Sequence, residues 1–122
     1  MYNKITDFYS GYEGEGEIQF ITFINNEKVI IKLWDGYFDD IMKKIEPTTK
    51  GWTSLAHHYN LATGWYDESP WKLKNIVEAL KQLKEVMNAE FEFEGTKGIY
   101  NEICALLANA IETNNSVYIA YE

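Results

Sequence analysis

At 122 residues, 46% of them apolar and 16% aromatic, the chain is the size of one domain and can bury a core without disulfide or metal staples. Its net charge of −8, from 19 acids against 11 bases, has the wrong sign for nucleic acid, and since every base is lysine the planar guanidinium fork that grips phosphate and guanine edges is missing. No apolar run serves as a signal peptide or reaches the length of a membrane span, so a soluble, cytoplasmic protein with no membrane partner is expected.

Taken in chain order, Tyr2 to Tyr9 mixes Tyr2, Ile5, Phe8 and Tyr9 with polar residues and reads as a strand or an irregular arm. Ser10 to Glu17 carries three glycines and, if extended, sets Glu13, Glu15 and Glu17 on one face. Residues 18–34 predict a hairpin: IQFITFI and KVIIKLW are β-branched and aromatic, and Asn25-Asn26 between them tolerate the positive φ of a tight turn. Two neighbouring strands this apolar must bury a face, which places the hairpin at the centre of a sheet. Asp35-Gly36 breaks the strand, and Phe38, Ile41, Met42 and Ile45 then recur at helical spacing until Pro47.

After a loop at Thr48 to Gly51, the residues Trp52, Leu55, Ala56, Tyr59 and Ala62 fit a helical face that Gly64 would stop, although His57-His58-Tyr59 also suits an extended chain. An aromatic, acidic loop follows (Gly64, Trp65, Tyr66, Asp67, Glu68). Ser69-Pro70 then signals a helix start, serine as a cap and proline at the first helical position. From Trp71 a stripe of Leu73, Ile76, Val77, Leu80, Leu83 and Met87 predicts one amphipathic helix. Asn88 to Gly95 alternates Glu90, Glu92 and Glu94 with Phe91 and Phe93. An extended chain here puts phenylalanines and glutamates on opposite sides; a solvated loop whose phenylalanines plug the core is the other reading. A last helix is expected from Thr96 to Thr113, with Ile99, Ile103, Leu106, Leu107, Ala110 and Ile111 as its stripe. Asn114-Asn115 turns the chain into a closing strand over 116–121. The pattern is that of a single α+β domain over 1–122, with a small, largely antiparallel sheet (hairpin 18–34, C-terminal strand 116–121) and helices packed on one face.

No constellation for catalysis emerges. His57 and His58 diverge by about 100° on a helix or about 180° on a strand and do not easily share a metal; HExxH and paired CxxC motifs are absent. The lone Cys104 sits among Ile103, Ala105, Leu106 and Leu107, the setting of a buried thiol that packs as a small hydrophobe. Glycines 11, 14 and 16 precede a strand and make no phosphate loop. Acid pairs such as Asp39-Asp40 and Asp67-Glu68 arise readily in an acid-rich chain. No catalytic residue, metal or cofactor is expected.

The placement of charge says more than its sum. Four stretches, 7–17, 35–40, 65–69 and 88–95, hold twelve acids and no lysine, which leaves seven acids against 11 lysines elsewhere. Acids gather in loops for solubility; they also build a focused field when several such loops converge, and that attracts a basic partner. Trp65, Tyr66 and Trp71 bracket Asp67 and Glu68, and Trp and Tyr are the residues that most often carry interface energy.

A small, acidic, aromatic-rich α+β chain with GW at 51–52, GWYDESPW at 64–71, an amphipathic helix and a closing VYIAYE at 117–122 resembles the immunity proteins of bacterial polymorphic-toxin systems, those of contact-dependent growth inhibition in particular. The resemblance implies a cytoplasmic inhibitor of a cognate toxin C-terminal domain, commonly a nuclease, and a nuclease is basic where it meets its substrate. It carries no residue roles. On the residues themselves, Trp65, Tyr66, Asp67 and Glu68, with Glu90, Glu92 and Glu94, are the expected toxin-binding set. A small-molecule or regulatory binding module with an aromatic-lined pocket is the alternative.

Overall fold

The computed structural model describes residues 3–45, 71–73 and 75–121. Its elements run β1 (Asn3–Phe8), β2 (Glu17–Ile24), β3 (Glu27–Trp34), α1 (Asp35–Met42), β4 (Trp71–Lys72), α2 (Ile76–Lys84), α3 (Thr96–Glu112) and β5 (Val117–Tyr121). The fold is α+β, as the sequence implies. β2 and β3 form the expected hairpin, with Phe20 opposite Ile31 and Ile24 opposite Glu27. Asn25 and Asn26 take φ of 51° and 65°, the paired left-handed conformation whose twist matches that of the flanking strands.

The hairpin is central in the sheet order β1-β3-β2-β5-β4. β5 adds antiparallel to β2, and β4 antiparallel to β5. β1 lies parallel to β3, Lys4 beside Val29 and Phe8 beside Leu33, the one departure from an antiparallel sheet among the described strands. Alternate residues of β2, β3 and β5 (Ile18, Phe20, Ile31, Leu33, Val117, Ile119) face the helices and are almost wholly buried with Phe38, Ile41, Ile103 and Leu107. Phe20 and Phe38 meet edge-on at 5.8 Å, and burying each contributes about 2–3 kcal/mol. On the opposite face Ile21, Ile30 and Ala120 form a second, smaller cluster with Tyr118.

α3 follows its expected span. Its C-terminus closes as a Schellman turn: Asn114 takes φ of 56°, its N–H reaches the Ile111 carbonyl, and the Asn115 N–H reaches that of Ala110. The expectation for α2 is corrected. No helix starts at Trp71; Trp71 and Lys72 pair with Ile119 and Tyr118, and the Leu73 N–H donates to the Val117 carbonyl at 2.8 Å. The backbone hydrogen bonds on offer along β5 outweigh the local helix preference, because an open sheet edge beside a buried core position, Leu73, must be covered. The helix starts only after Asn75, which sits left-handed at φ 56° and accepts the Glu78 N–H at 3.2 Å. Its buried face is Ala79, Gln82 and Leu83, whereas Val77 and Met87 of the expected stripe are 63% and 54% exposed. The Ser69-Pro70 signal and the helix expected over 52–62 lie outside the described residues.

Asn75 combines a cap with a conformation that β-carbon-bearing residues resist. Asn75→Ala should cost about 1–2 kcal/mol through the lost cap and left-handed strain, and Asn75→Gly distinctly less, as measured by urea unfolding. Equal costs for the two would contradict this assignment.

Candidate functional site

The end of β3 and the start of α1 form the floor of the site. Trp34 is the last strand residue, and Tyr12, from the loop joining β1 to β2, stacks flat on its ring, centroids 4.4 Å apart and planes within 4°. Tyr37, one helical turn on, meets Trp34 edge-on at 5.4 Å and shares a hydrogen bond with the Tyr12 hydroxyl at 2.9 Å. Phe93 completes the cluster, 5.2 Å from Trp34 and 5.9 Å from Tyr37. Edge-to-face and stacked pairs of this kind suit the ring quadrupoles and fix the side chains relative to one another.

Two loops hold these rings in place, each by its own hydrogen bonds. In the first, the Asp7 carboxylate accepts from the Tyr9 N–H at 2.8 Å, the Ser10 N–H at 3.1 Å and the Ser10 hydroxyl at 2.6 Å, which holds its pKa below the ordinary value. The Tyr9 hydroxyl donates to the Glu15 carbonyl at 2.6 Å and closes the loop around Tyr12. In the second, the buried Asp40 of α1 accepts from the N–H groups of Glu92 and Phe93 at 2.9 and 3.0 Å and from the Thr96 hydroxyl at 2.7 Å. Burial pushes the Asp40 carboxyl up, but these donors, with Lys43, outweigh it and leave the group below its ordinary value.

Gly36 packs so closely on the Trp34 ring that a β-carbon there would lie 2.4 Å from Cη2. Gly36→Ala should therefore push Trp34 out of the cluster at a cost of about 1–3 kcal/mol. The readout is near-ultraviolet circular dichroism together with the melting temperature, and an unaltered aromatic signal would count against the packing described.

Three of the four lysine-free acidic stretches converge here. Tyr12 comes from 7–17, Tyr37 from 35–40 and Phe93 from 88–95, so the aromatic patch draws one ring from each of the three. Asp35 responds to burial and to acids of two of these stretches. Its carboxyl is pushed above the ordinary value first by burial and then by Asp39, with Glu15 adding to it, while the Tyr121 hydroxyl at 3.3 Å opposes the rise. Gly16 packs against this carboxylate, and a β-carbon there would displace the ends of the Asp35 and Tyr121 side chains.

Of the residues singled out from the sequence, Glu90, Glu92 and Glu94 are all exposed at this site. They do not form one row of an extended chain, however, because the segment is a loop anchored at Asp40. Phe91 turns toward the core, 5.7 Å from Tyr100, and Phe93, 39% exposed, turns to Trp34. Glu92 is engaged with Lys43 at 2.6 Å. Trp65, Tyr66, Asp67 and Glu68, like His57 and His58, lie outside the described residues. The sequence does not single out Tyr12, Trp34, Tyr37 or the anchoring role of Asp40; the available signal is that each of these three acidic stretches also holds aromatic residues, two or three apiece. Cys104 is half-buried against the core and burial pushes its thiol up, as expected of a packing residue. Among the described residues no group of three or more His, Cys, Asp or Glu side chains is placed to hold a metal ion, and no helix is long and apolar enough to cross a membrane.

The fold and site thus define an α+β protein whose aromatic cluster is drawn from three acidic stretches. No protein-family model, curated protein or solved structure matches the chain.

Proposed function

We propose that this protein is a cytoplasmic immunity protein, one that binds and neutralises a cognate toxin C-terminal domain of basic, nuclease-like character by covering it. The observation that carries the reading is the convergence of three acidic, lysine-free stretches around the Tyr12, Trp34, Tyr37 and Phe93 cluster. Clustered aromatics supply the apolar centre of an interface, and the acids around them speed and orient the approach of a positively charged partner. The four aromatics of the cluster pack on one another at 4.4 to 5.9 Å, which favours a solid contact surface over an aromatic-lined pocket.

The deciding experiment is retention of partners from the native cell by the tagged protein at low and at moderate salt, read by mass spectrometry. Recovery of the C-terminal domain of a large secreted protein, held less firmly as salt rises, supports the reading. Recovery of no protein, with a small molecule co-purifying, would replace it by the binding-module alternative.

A further inference from the structure

The loop that follows α2 encloses an open groove of about 610 Å³ between Met87 and Lys97. We propose that this groove seats an arginine side chain of the partner, a step that rests on the reading of the protein as a binder of a basic domain. Its walls are apolar and wet: Met87 is 54% and Phe93 39% exposed, and Phe91 lies between them in the loop. Its rim carries Glu90 and Glu94. An occupant must therefore offer a long apolar stem and a cation at its end. Anions and uncharged sugars meet the wrong field.

Lysine and arginine both have that form, and two features select arginine. The guanidinium is planar and weakly hydrated, so it lies on an aromatic face such as that of Phe93 at smaller desolvation cost than an ammonium. Its several N–H donors can serve two carboxylates at once. The chain's own Lys97, which also lines the groove, is already directed elsewhere: its ammonium donates to the Met87 carbonyl and lies 4.8 Å from the centre of the Tyr100 ring. The acidic side is thereby left to an incoming cation. The groove is also formed in advance, because Asp40 pins the backbone at Glu92 and Phe93. Through Phe93 it is continuous with the Trp34 cluster, so one basic side chain in the groove brings the partner's surface down on the aromatic patch.

The test uses the whole protein and a short oligo-arginine peptide as the probe, followed by ¹⁵N–¹H spectra. The expected result is a saturable set of shifts confined to residues 87–97 and the Trp34 indole, absent with an oligo-citrulline peptide of equal length. Glu90→Gln with Glu94→Gln should weaken the interaction about tenfold or more with the remaining spectrum unchanged. Shifts spread over all acidic loops, an unaltered affinity in the double variant, or oligo-lysine binding as tightly as oligo-arginine would each overturn the proposal. None of these outcomes touches the retention experiment with the native partner, so the arginine seat and the immunity reading fail separately.

Discussion

Asp40→Ala is expected to lower the free energy of unfolding by about 3–5 kcal/mol, a large part of the roughly 5–15 kcal/mol a domain of this size possesses. Asp40 is fully buried, and its removal orphans the N–H groups of Glu92 and Phe93 and the Thr96 hydroxyl together, each costing about 1–3 kcal/mol when left unpaired. Asp40→Asn should cost less, since an amide oxygen still accepts while its NH₂ faces a second donor. The same residue sets part of the acid response. Its folded pKa lies below the ordinary 3.8, so its contribution is fully present above the unfolded value and is lost as pH falls through the folded value. Wild-type stability should therefore decline below about pH 4 more steeply than that of Asp40→Ala. Comparing the two proteins separates this effect from the similarly lowered but exposed Asp7. Urea unfolding at neutral pH and at stepwise lower pH reads both quantities, and indistinguishable midpoints at neutral pH would show that the loop is held by something else.

The largest effect on partner binding is expected at Phe93. Phe93→Ala removes the ring that joins the Trp34 cluster to the groove, and at 39% exposed it does so with little damage to the core. A loss of about 2 kcal/mol or more, roughly 30-fold in affinity, is the behaviour of an aromatic residue central to an interface. Trp34→Ala should weaken binding too, but it also unpacks Tyr12 and Tyr37, so its melting temperature falls as well and the loss is not specific to the interface. Reversal of Asp39 to lysine should act on a different quantity: association slows by about tenfold at low salt, with dissociation less affected, and the difference shrinks as salt rises. Glu112→Lys, at the far end of α3, serves as the control for net charge alone. Titration calorimetry and stopped-flow mixing with the retained partner measure these effects. An unchanged affinity in Phe93→Ala, with the fold intact, would remove the aromatic patch from the interface.

Reversing Glu92 is less informative than the glutamate alternation makes it look. Its pairing with Lys43 is a surface ion pair worth about 1 kcal/mol at most, and Glu92→Lys would break that contact as well as change the field.

The regular elements were legible because their determinants are local. The hairpin follows from β-branched runs around Asn25-Asn26, and α3 follows from one unbroken stripe ended by Asn114; in both, turn chemistry and periodicity point the same way. The sequence pattern starts α2 too early because Trp71, Lys72 and Leu73 satisfy a helical stripe and a strand equally well over so short a span. Only the open edge of β5, a partner distant in sequence, decides between them. Of the two readings of 88–95, the solvated loop is the one found, with Phe91 on the core and Phe93 on Trp34: the N–H groups of Glu92 and Phe93 are satisfied by the Asp40 carboxylate, not by a neighbouring strand, so the period-2 pattern has no ladder to hold it.

By itself, then, the sequence determined the α+β class, the hairpin, α3, the acid excess and its confinement to four stretches without lysine. The tertiary structure decided which of those stretches meet, and that Tyr12, Trp34, Tyr37 and Phe93 form one surface. Composition and periodicity act within a window of a few residues, whereas a binding surface is made by side chains from separate loops. Their meeting depends on long-range pairings, β1 on β3 and Asp40 on the 88–95 loop, that leave no periodic trace in the chain.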